Sequence, residues 1–255
     1  MTEFVLYNAP QSTCSQRVRF VLNAKDLAFV EHKLDLFAGD QLKPEYLQIN
    51  PNGVVPTLVH HGKPVTDSAV IIEYLDEIFP IPERFVPEDA FERAKMRSLM
   101  RFIDEVPTPA IRVPSYNLAF LRHFRSMTEE EFIALAESKP LRKEFLLKMG
   151  RMGFPKEEMD TSLDRLRRGV TRMRDAIAHS GGPWLMGQHL TLADIAVMPV
   201  IVRMNDINLC HMWNDTPLIA RWLEAIMAHP AFSKTYYFGS LLTEKYPALK
   251  RELTA

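Results

Sequence analysis

Thr57-Leu58-Val59-His60, the turn His61-Gly62-Lys63 and Pro64-Val65-Thr66 read as a β-hairpin, and Ser68 to Phe79 follows as an amphipathic helix with Val70, Ile71, Tyr74, Leu75 and Ile78 at helical spacing. Working outward, Phe4-Val5-Leu6-Tyr7 and Phe29 to Leu34 read as strands. Cys14 to Lys25 repeats Val18, Val21 and Leu22 along one helical face, and Pro44 to Ile49 suits a short helix. The predicted order is β-α-β-α-β-β-α.

Pro80, Pro82 and Pro87 then interrupt the helical pattern, because each ring removes a backbone donor and fixes φ. The expected organisation is an α/β domain over residues 1–80, a linker over 81–87 and an all-α domain over 88–255. Helix-period stretches cover about 88–105, 109–124, 156–180, 191–206 and 216–228. Thr191 and Asp194 are spaced as a capping box, Thr128 and Glu131 as another, and Gly181-Gly182 reads as a helix stop.

With 47% hydrophobic residues in 255, the chain can bury a substantial core. Thirty-one Lys and Arg against 32 Asp and Glu give a net charge of -1, so bulk charge provides no reason to bind nucleic acid or an anionic membrane, and a small-molecule partner is expected. Two cysteines, Cys14 and Cys210, are too few for a disulfide framework and point to a reducing, cytoplasmic setting. No signal peptide or membrane span is expected. The eight histidines lack metal-ligand spacing, so no metal is expected, and phosphate-binding glycine loops and dinucleotide fingerprints are missing.

The segment most suggestive of chemistry is Pro10-Gln11-Ser12-Thr13-Cys14-Ser15-Gln16-Arg17, which joins the first strand to the first helix. Hydroxyls and a thiol gather where unpaired helix N–H groups and the macrodipole favour an anion, including a thiolate. The plainer alternative is that Ser12 or Thr13 only caps the helix.

Together with Asn50-Pro51-Asn52-Gly53-Val54-Val55-Pro56-Thr57-Leu58, Thr66-Asp67-Ser68 and the Leu190 to Ile195 box, this segment resembles the glutathione transferase family. The resemblance implies a thioredoxin-like N-terminal domain followed by an all-helical domain, with glutathione as cosubstrate. It further implies a cis Pro56 that turns the Val55 main chain toward the cysteinyl backbone of glutathione, and an Asp67-Ser68 corner that receives the γ-glutamyl group. Asp replaces the commoner Glu or Gln of that corner. Lys43 or Gln41 is the candidate for the glycyl carboxylate. Ser12, Thr13, Cys14 and Ser15 are the candidates for activating the thiol.

The helix start is similar to zeta-class maleylacetoacetate isomerases and tetrachlorohydroquinone dehalogenases, in which the residue matching Cys14 takes part in catalysis. Met127 to Phe132, Gly153 to Met159 and Phe91 to Arg97 resemble bacterial glutathione-dependent β-aryl etherases, whose thiolate-stabilising serine falls on Ser15 by spacing. The expected reaction is thioether-forming cleavage of a β-aryl ether, with isomerase or reductive dehalogenase chemistry at Cys14, or a non-catalytic interaction protein, as alternatives. The acceptor pocket is expected from Asn8, Pro10, Met100, Ile103, Ile111 and Tyr116, with Met96, Val113 and Phe120 nearby. Arg101 and Arg112 are candidates for an acidic substrate group, against a default of solvated surface. The resemblance also implies a homodimer.

Overall fold

The computed structural model describes residues 4–254. Strands β1 (Phe4–Asn8), β2 (Phe29–Lys33), β3 (Thr57–His60) and β4 (Lys63–Thr66) form one sheet in the order β2-β1-β3-β4, with β1 and β2 parallel and the remaining pairs antiparallel. Helix α1 (Thr13–Ala24) crosses between β1 and β2, and α2 (Pro44–Leu47) precedes β3. Helix α3 (Ser68–Ile78) leaves β4 and packs on α1. Period-two alternation buries Phe4, Leu6 and Asn8 of β1. The apolar stripes of α1 and α3 supply Val18, Val21, Leu22, Ile71, Ile72 and Leu75 to the same core.

Residues 79–89 form neither helix nor strand, and buried charge fixes them to the first domain. Lys25 at the end of α1 pairs with Asp76 of α3 at 2.8 Å and donates to the carbonyls of Phe79 and Glu83. Asp76 accepts the N–H groups of Phe85 and Val86. Each buried charge is thus compensated by an opposite charge and by backbone dipoles, the arrangement that burial requires.

Helices follow: α4 (Ala90–Glu105), α5 (Pro107–Ala110), α6 (Arg112–Ser115), α7 (Glu129–Glu137), α8 (Lys143–Met149), α9 (Lys156–Ser180), α10 (Leu192–Asp206), α11 (Pro217–Ala228) and α12 (Pro230–Thr235), then two short C-terminal helices. The stretch expected as one helix over 109–124 is broken into α5, α6, a π-helical turn over Tyr116–Phe120 and a 3-10 turn, in a segment punctuated by Pro107, Pro109 and Pro114. Helix α10 is apolar on nearly all sides and buried, a core helix. Among the described residues no helix is long and apolar enough to cross a membrane. A smaller apolar cluster of Val113, Phe124, Phe132, Ala136, Leu146, Met149 and Phe154 holds α7 and α8 against the π turn.

Candidate active site

Strand register brings three distant segments to one edge of the sheet. Tyr7 pairs with Thr57, and Thr57 with Thr66, so the exit from β1, the entry to β3 and the exit from β4 lie side by side. The β1 exit delivers the start of α1. Val55 enters β3 through a cis Val55–Pro56 peptide, in agreement with the expectation for Pro56, and Asp67-Ser68 leaves β4.

Ser12 is the N-cap of α1, its Oγ accepting the Ser15 N–H at 3.2 Å. Ser12 thus caps the helix, and as an acceptor in that bond it leaves its hydroxyl proton free. Among the described residues, the N–H groups of Thr13 and Cys14 also have no partner, as first-turn groups do. Ser12, Thr13 and Cys14 all border a cavity of about 240 Å³ between the sheet edge and the helices. Ser15 does not. It is fully buried, its Oγ accepts the Ala9 N–H at 3.3 Å, and the structure removes it from the thiol-facing candidates.

Val55 borders the same cavity, and among the described residues no hydrogen bond engages its main chain. Its neighbour is firmly held: the Val54 carbonyl accepts from Tyr46 Oη at 2.6 Å and Asn50 Nδ2 at 2.9 Å, and both groups also meet Thr57 Oγ1. Gly53 turns at φ +59°, where a Cβ would stand 3.0 Å from Leu42 Cδ2. Gln41 donates from Nε2 to the Leu36 carbonyl, while its Oε1 is buried with no partner, so its open valence suits an N–H donor and not a carboxylate. Lys43 is exposed, paired with Asp40 at 2.8 Å, and does not border the cavity.

Asp67, and not Ser68, caps α3: its Oδ1 accepts from Ala69 and Val70. Its φ of 71° lies in the left-handed region, a conformation costing a non-glycine residue on the order of 1–3 kcal/mol and common at ligand clamps. Ser68 is buried, and its Oγ accepts from Arg17 Nη1 at 3.3 Å; Arg17 also binds Asp104 at 2.6 Å and Thr108 at 2.9 Å. Neither Asp67 nor Ser68 borders the cavity itself.

Of the expected acceptor residues, Ile111 and Tyr116 line the cavity, as does Phe120. Met100 and Ile103 are instead buried in the main core with Met96, because that face of α4 packs on α10. Asn8 is fully buried between Glu31 and Arg19, and the Pro10 carbonyl is taken by Gln16 and Arg19; neither borders the cavity. Val113 belongs to the smaller cluster, and Arg101 is exposed elsewhere. Sequence reasoning missed Phe37, His123, Phe124, Lys139, Arg142 and Arg203, all of which line the cavity. Phe37 stacks on His123 with centroids 3.9 Å apart. Nothing local in the sequence says that α7, α8 and their connection form a cavity wall. Among the described residues no group of three or more His, Cys, Asp or Glu is arranged to hold a metal ion.

The family model for the glutathione S-transferase N-terminal domain matches residues 6–84, and that for the C-terminal domain matches residues 156–225. The chain belongs to the glutathione S-transferase family. This transferase is 28% identical over 238 residues to protein LigF of Sphingobium sp. (strain NBRC 103272 / SYK-6), covering 91% of this chain and 92% of the relative. The crystal structure of beta-etherase LigF from that strain matches with a TM-score of 0.80, over 92% of this chain and 99% of that one. A probable maleylacetoacetate isomerase of Caenorhabditis elegans is 28% identical over 229 residues, covering 89% of this chain and 90% of the relative. Ure2p in complex with glutathione shares the fold at a TM-score of 0.69 and 20% identity, over 91% of this chain and 97% of that one. Most of the helical wall of the transferase's cavity, from Ile111 to Leu146, lies between the two matched segments.

Proposed function

We propose that this transferase binds glutathione along the sheet edge, with the sulfur at the start of α1, and uses it to cleave a β-aryl ether to a thioether. One observation carries the reading: Ser12, Thr13 and Cys14, with their free helix-start donors, open into the same cavity as the unpaired Val55 main chain and the aromatic wall of Phe37, Tyr116, Phe120 and Phe124. Glutathione would supply a thiolate that attacks the carbon next to an aryl ketone, forming a C–S bond as the C–O pair leaves with a phenolate that then takes up a proton.

The chain's own groups supply the rest. An ordinary thiol titrates near pH 8.5, and lowering that by ~2 units requires about 2.7 kcal/mol of preferential stabilisation. The Ser12 O–H and the Thr13 and Cys14 N–H groups are placed to donate to an anion there. Val55 offers an antiparallel backbone pair to the cysteinyl unit. The Asp67 carboxylate, with one oxygen uncommitted among the described residues, suits the γ-glutamyl ammonium. Ser68 and the α3 N-terminus suit its carboxylate. Gln41 Oε1 suits a peptide N–H, which leaves the glycyl carboxylate to Lys43. Homodimerisation and a cytoplasmic setting complete the proposal, the first measurable by light scattering.

Cys14 on the cavity wall favours a second reading, isomerisation of a maleyl compound or reductive dehalogenation. The test is calorimetry with glutathione, ultraviolet titration of the bound thiol, and assays of a model β-aryl ether, a maleyl compound and a chlorinated hydroquinone with native protein, Ser12→Ala and Cys14→Ala. We expect ether cleavage that survives loss of Cys14. Activity confined to the other two substrates and dependent on Cys14 supports the second reading. Absence of glutathione binding with an unshifted thiol leaves a non-catalytic relative.

A further inference from the structure

We propose that the acceptor substrate is an aromatic electrophile bearing a carboxylate, held by Arg112 and Arg142; the assignment rests on the reading of the cavity as the meeting place of glutathione and acceptor. Both arginines are partly buried and line the cavity. The Arg112 side chain makes no hydrogen bond or ion pair among the described residues, and the Arg142 side chain makes one, from Nη1 to the adjacent Leu141 carbonyl at 2.9 Å. The fully buried arginines of this chain are satisfied within it, Arg17 by Asp104 at 2.6 Å, Arg203 by Asp206 at 3.9 Å, and Arg19, without a carboxylate partner, by hydrogen bonds to Asn8, Ala9, Pro10, Thr235 and Ser240.

Among the described residues lining the cavity there is no aspartate or glutamate, and Lys139 adds to the cationic side. Burial pushes the Arg142 guanidinium below its usual range, and the Arg112 charge pushes in the same direction, so the two are close enough to repel. A like-charged pair in a desolvated wall is unfavourable until an anion joins it. Guanidinium forks match a carboxylate in geometry as well as charge. Tyr116 stands within the influence of both arginines; burial raises its pKa, so the hydroxyl remains a donor at neutral pH. The aromatic wall on the same cavity calls for a ring attached to that carboxylate.

Glutathione's own carboxylates are assigned to the sheet domain, at Ser68 and Lys43. Arg112 and Arg142 come from the helical domain, on the side where the acceptor must lie.

The test is calorimetry of the native protein with glutathione, S-(para-carboxybenzyl)glutathione and S-(para-carbamoylbenzyl)glutathione, which differ in charge and little in shape. The acid conjugate is expected to bind about tenfold or more tightly than the amide, in line with charge-assisted hydrogen bonds. Arg112→Ala and Arg142→Ala should each erase most of that preference while leaving the affinity for glutathione and the amide conjugate nearly unchanged. Arg112→Lys and Arg142→Lys, which keep charge and lose the fork, should retain part of it. Equal affinity for acid and amide in the native protein overturns the proposal without recourse to any variant. So does an equal loss of glutathione affinity in the alanine variants, which would assign the arginines to glutathione. If glutathione itself does not bind, the underlying reading of the sheet edge fails, and this inference with it.

Discussion

Arg203 on α10 donates from Nη2 to the Gln11 carbonyl at 2.6 Å, across 192 residues of sequence. Its Nη1 donates to Ser115 Oγ at 3.2 Å. The loop that carries Ser12 into the cavity is therefore positioned by the helical domain. Gln11 Nε2 donates to the Gly239 carbonyl, and Gln16 Nε2 to the Ser240 carbonyl at 3.2 Å, which extends that grip.

Arg203→Lys keeps the charge but cannot span both acceptors. Losing one charge-assisted bond should lower stability by about 1.5–3 kcal/mol in urea unfolding. Because Ser12 follows Gln11 directly, the pKa of bound glutathione should also rise toward its free value. An unshifted thiol titration in this variant would show that the loop keeps its geometry without Arg203.

Ser12→Ala and Ser15→Ala separate capping from activation. The first removes the N-cap, with an expected loss of about 1 kcal/mol, and also weakens thiol ionisation. The second leaves the Ala9 N–H without its acceptor, a loss of about 1–3 kcal/mol, but the bound thiol should titrate as in the native protein. A shift caused by Ser15→Ala alone would return that serine to the chemistry.

His123 gives a pH dependence with a definite sign. Burial lowers its pKa from the ordinary 6.5, with Arg122 and Lys245 acting in the same direction and Asp35 opposing them. The Tyr246 hydroxyl, 2.8 Å from Nε2 and pushed up to about 12 in pKa by burial, stays protonated and can donate to the neutral ring. A depressed folded pKa means that the unfolded chain binds more protons, so this contribution is complete above pH 6.5 and is lost as pH falls through the folded value. Nuclear magnetic resonance should place the His123 midpoint below 6.5, and His123→Phe should flatten the acid side of the stability profile within the pH 5 to 8 range.

Asp194 is fully buried and accepts from the Leu185 N–H, the Thr191 N–H and O–H, and Trp222 Nε1. Asp194→Ala strands at least two buried donors at about 1–3 kcal/mol each, so unfolding should move by about 3 kcal/mol or more. Because none of these groups reaches the cavity, glutathione affinity in the folded fraction should be unchanged. Asp194→Asn, which keeps an acceptor oxygen, should recover part of the loss.

The expected box at Thr191 and Asp194 illustrates how far local reading extends. Its spacing marks the start of α10, but the Thr191 hydroxyl turns to donate to Asp194, and the carboxylate is also used by Trp222 from α11, which no local rule includes. The box at Thr128 and Glu131 forms as a reciprocal pair because both partners stay at the surface, with no tertiary donor competing for them. Proline spacing marks the break before α4, yet Pro109 and Pro114 lie inside an apolar pattern that reads as one helix. The π turn at Tyr116–Phe120, which places two aromatic rings on the cavity wall, has no distinct periodicity to betray it.

By itself the sequence determined the alternation of strands and helices, a cap at Ser12 or Thr13, the Asn50 to Pro56 approach to β3 and the family resemblance, because caps, turns and periodicity depend on residues within a few positions of one another. Only the tertiary structure decided that Ser12 faces the cavity while Ser15 faces the core, that Met100 and Ile103 belong to the interior, and that Arg112 and Arg142 share a wall with no acidic side chain among the described lining residues. Those outcomes depend on which faces of distant elements meet, and a side chain's surroundings are fixed only when the whole chain has closed around it.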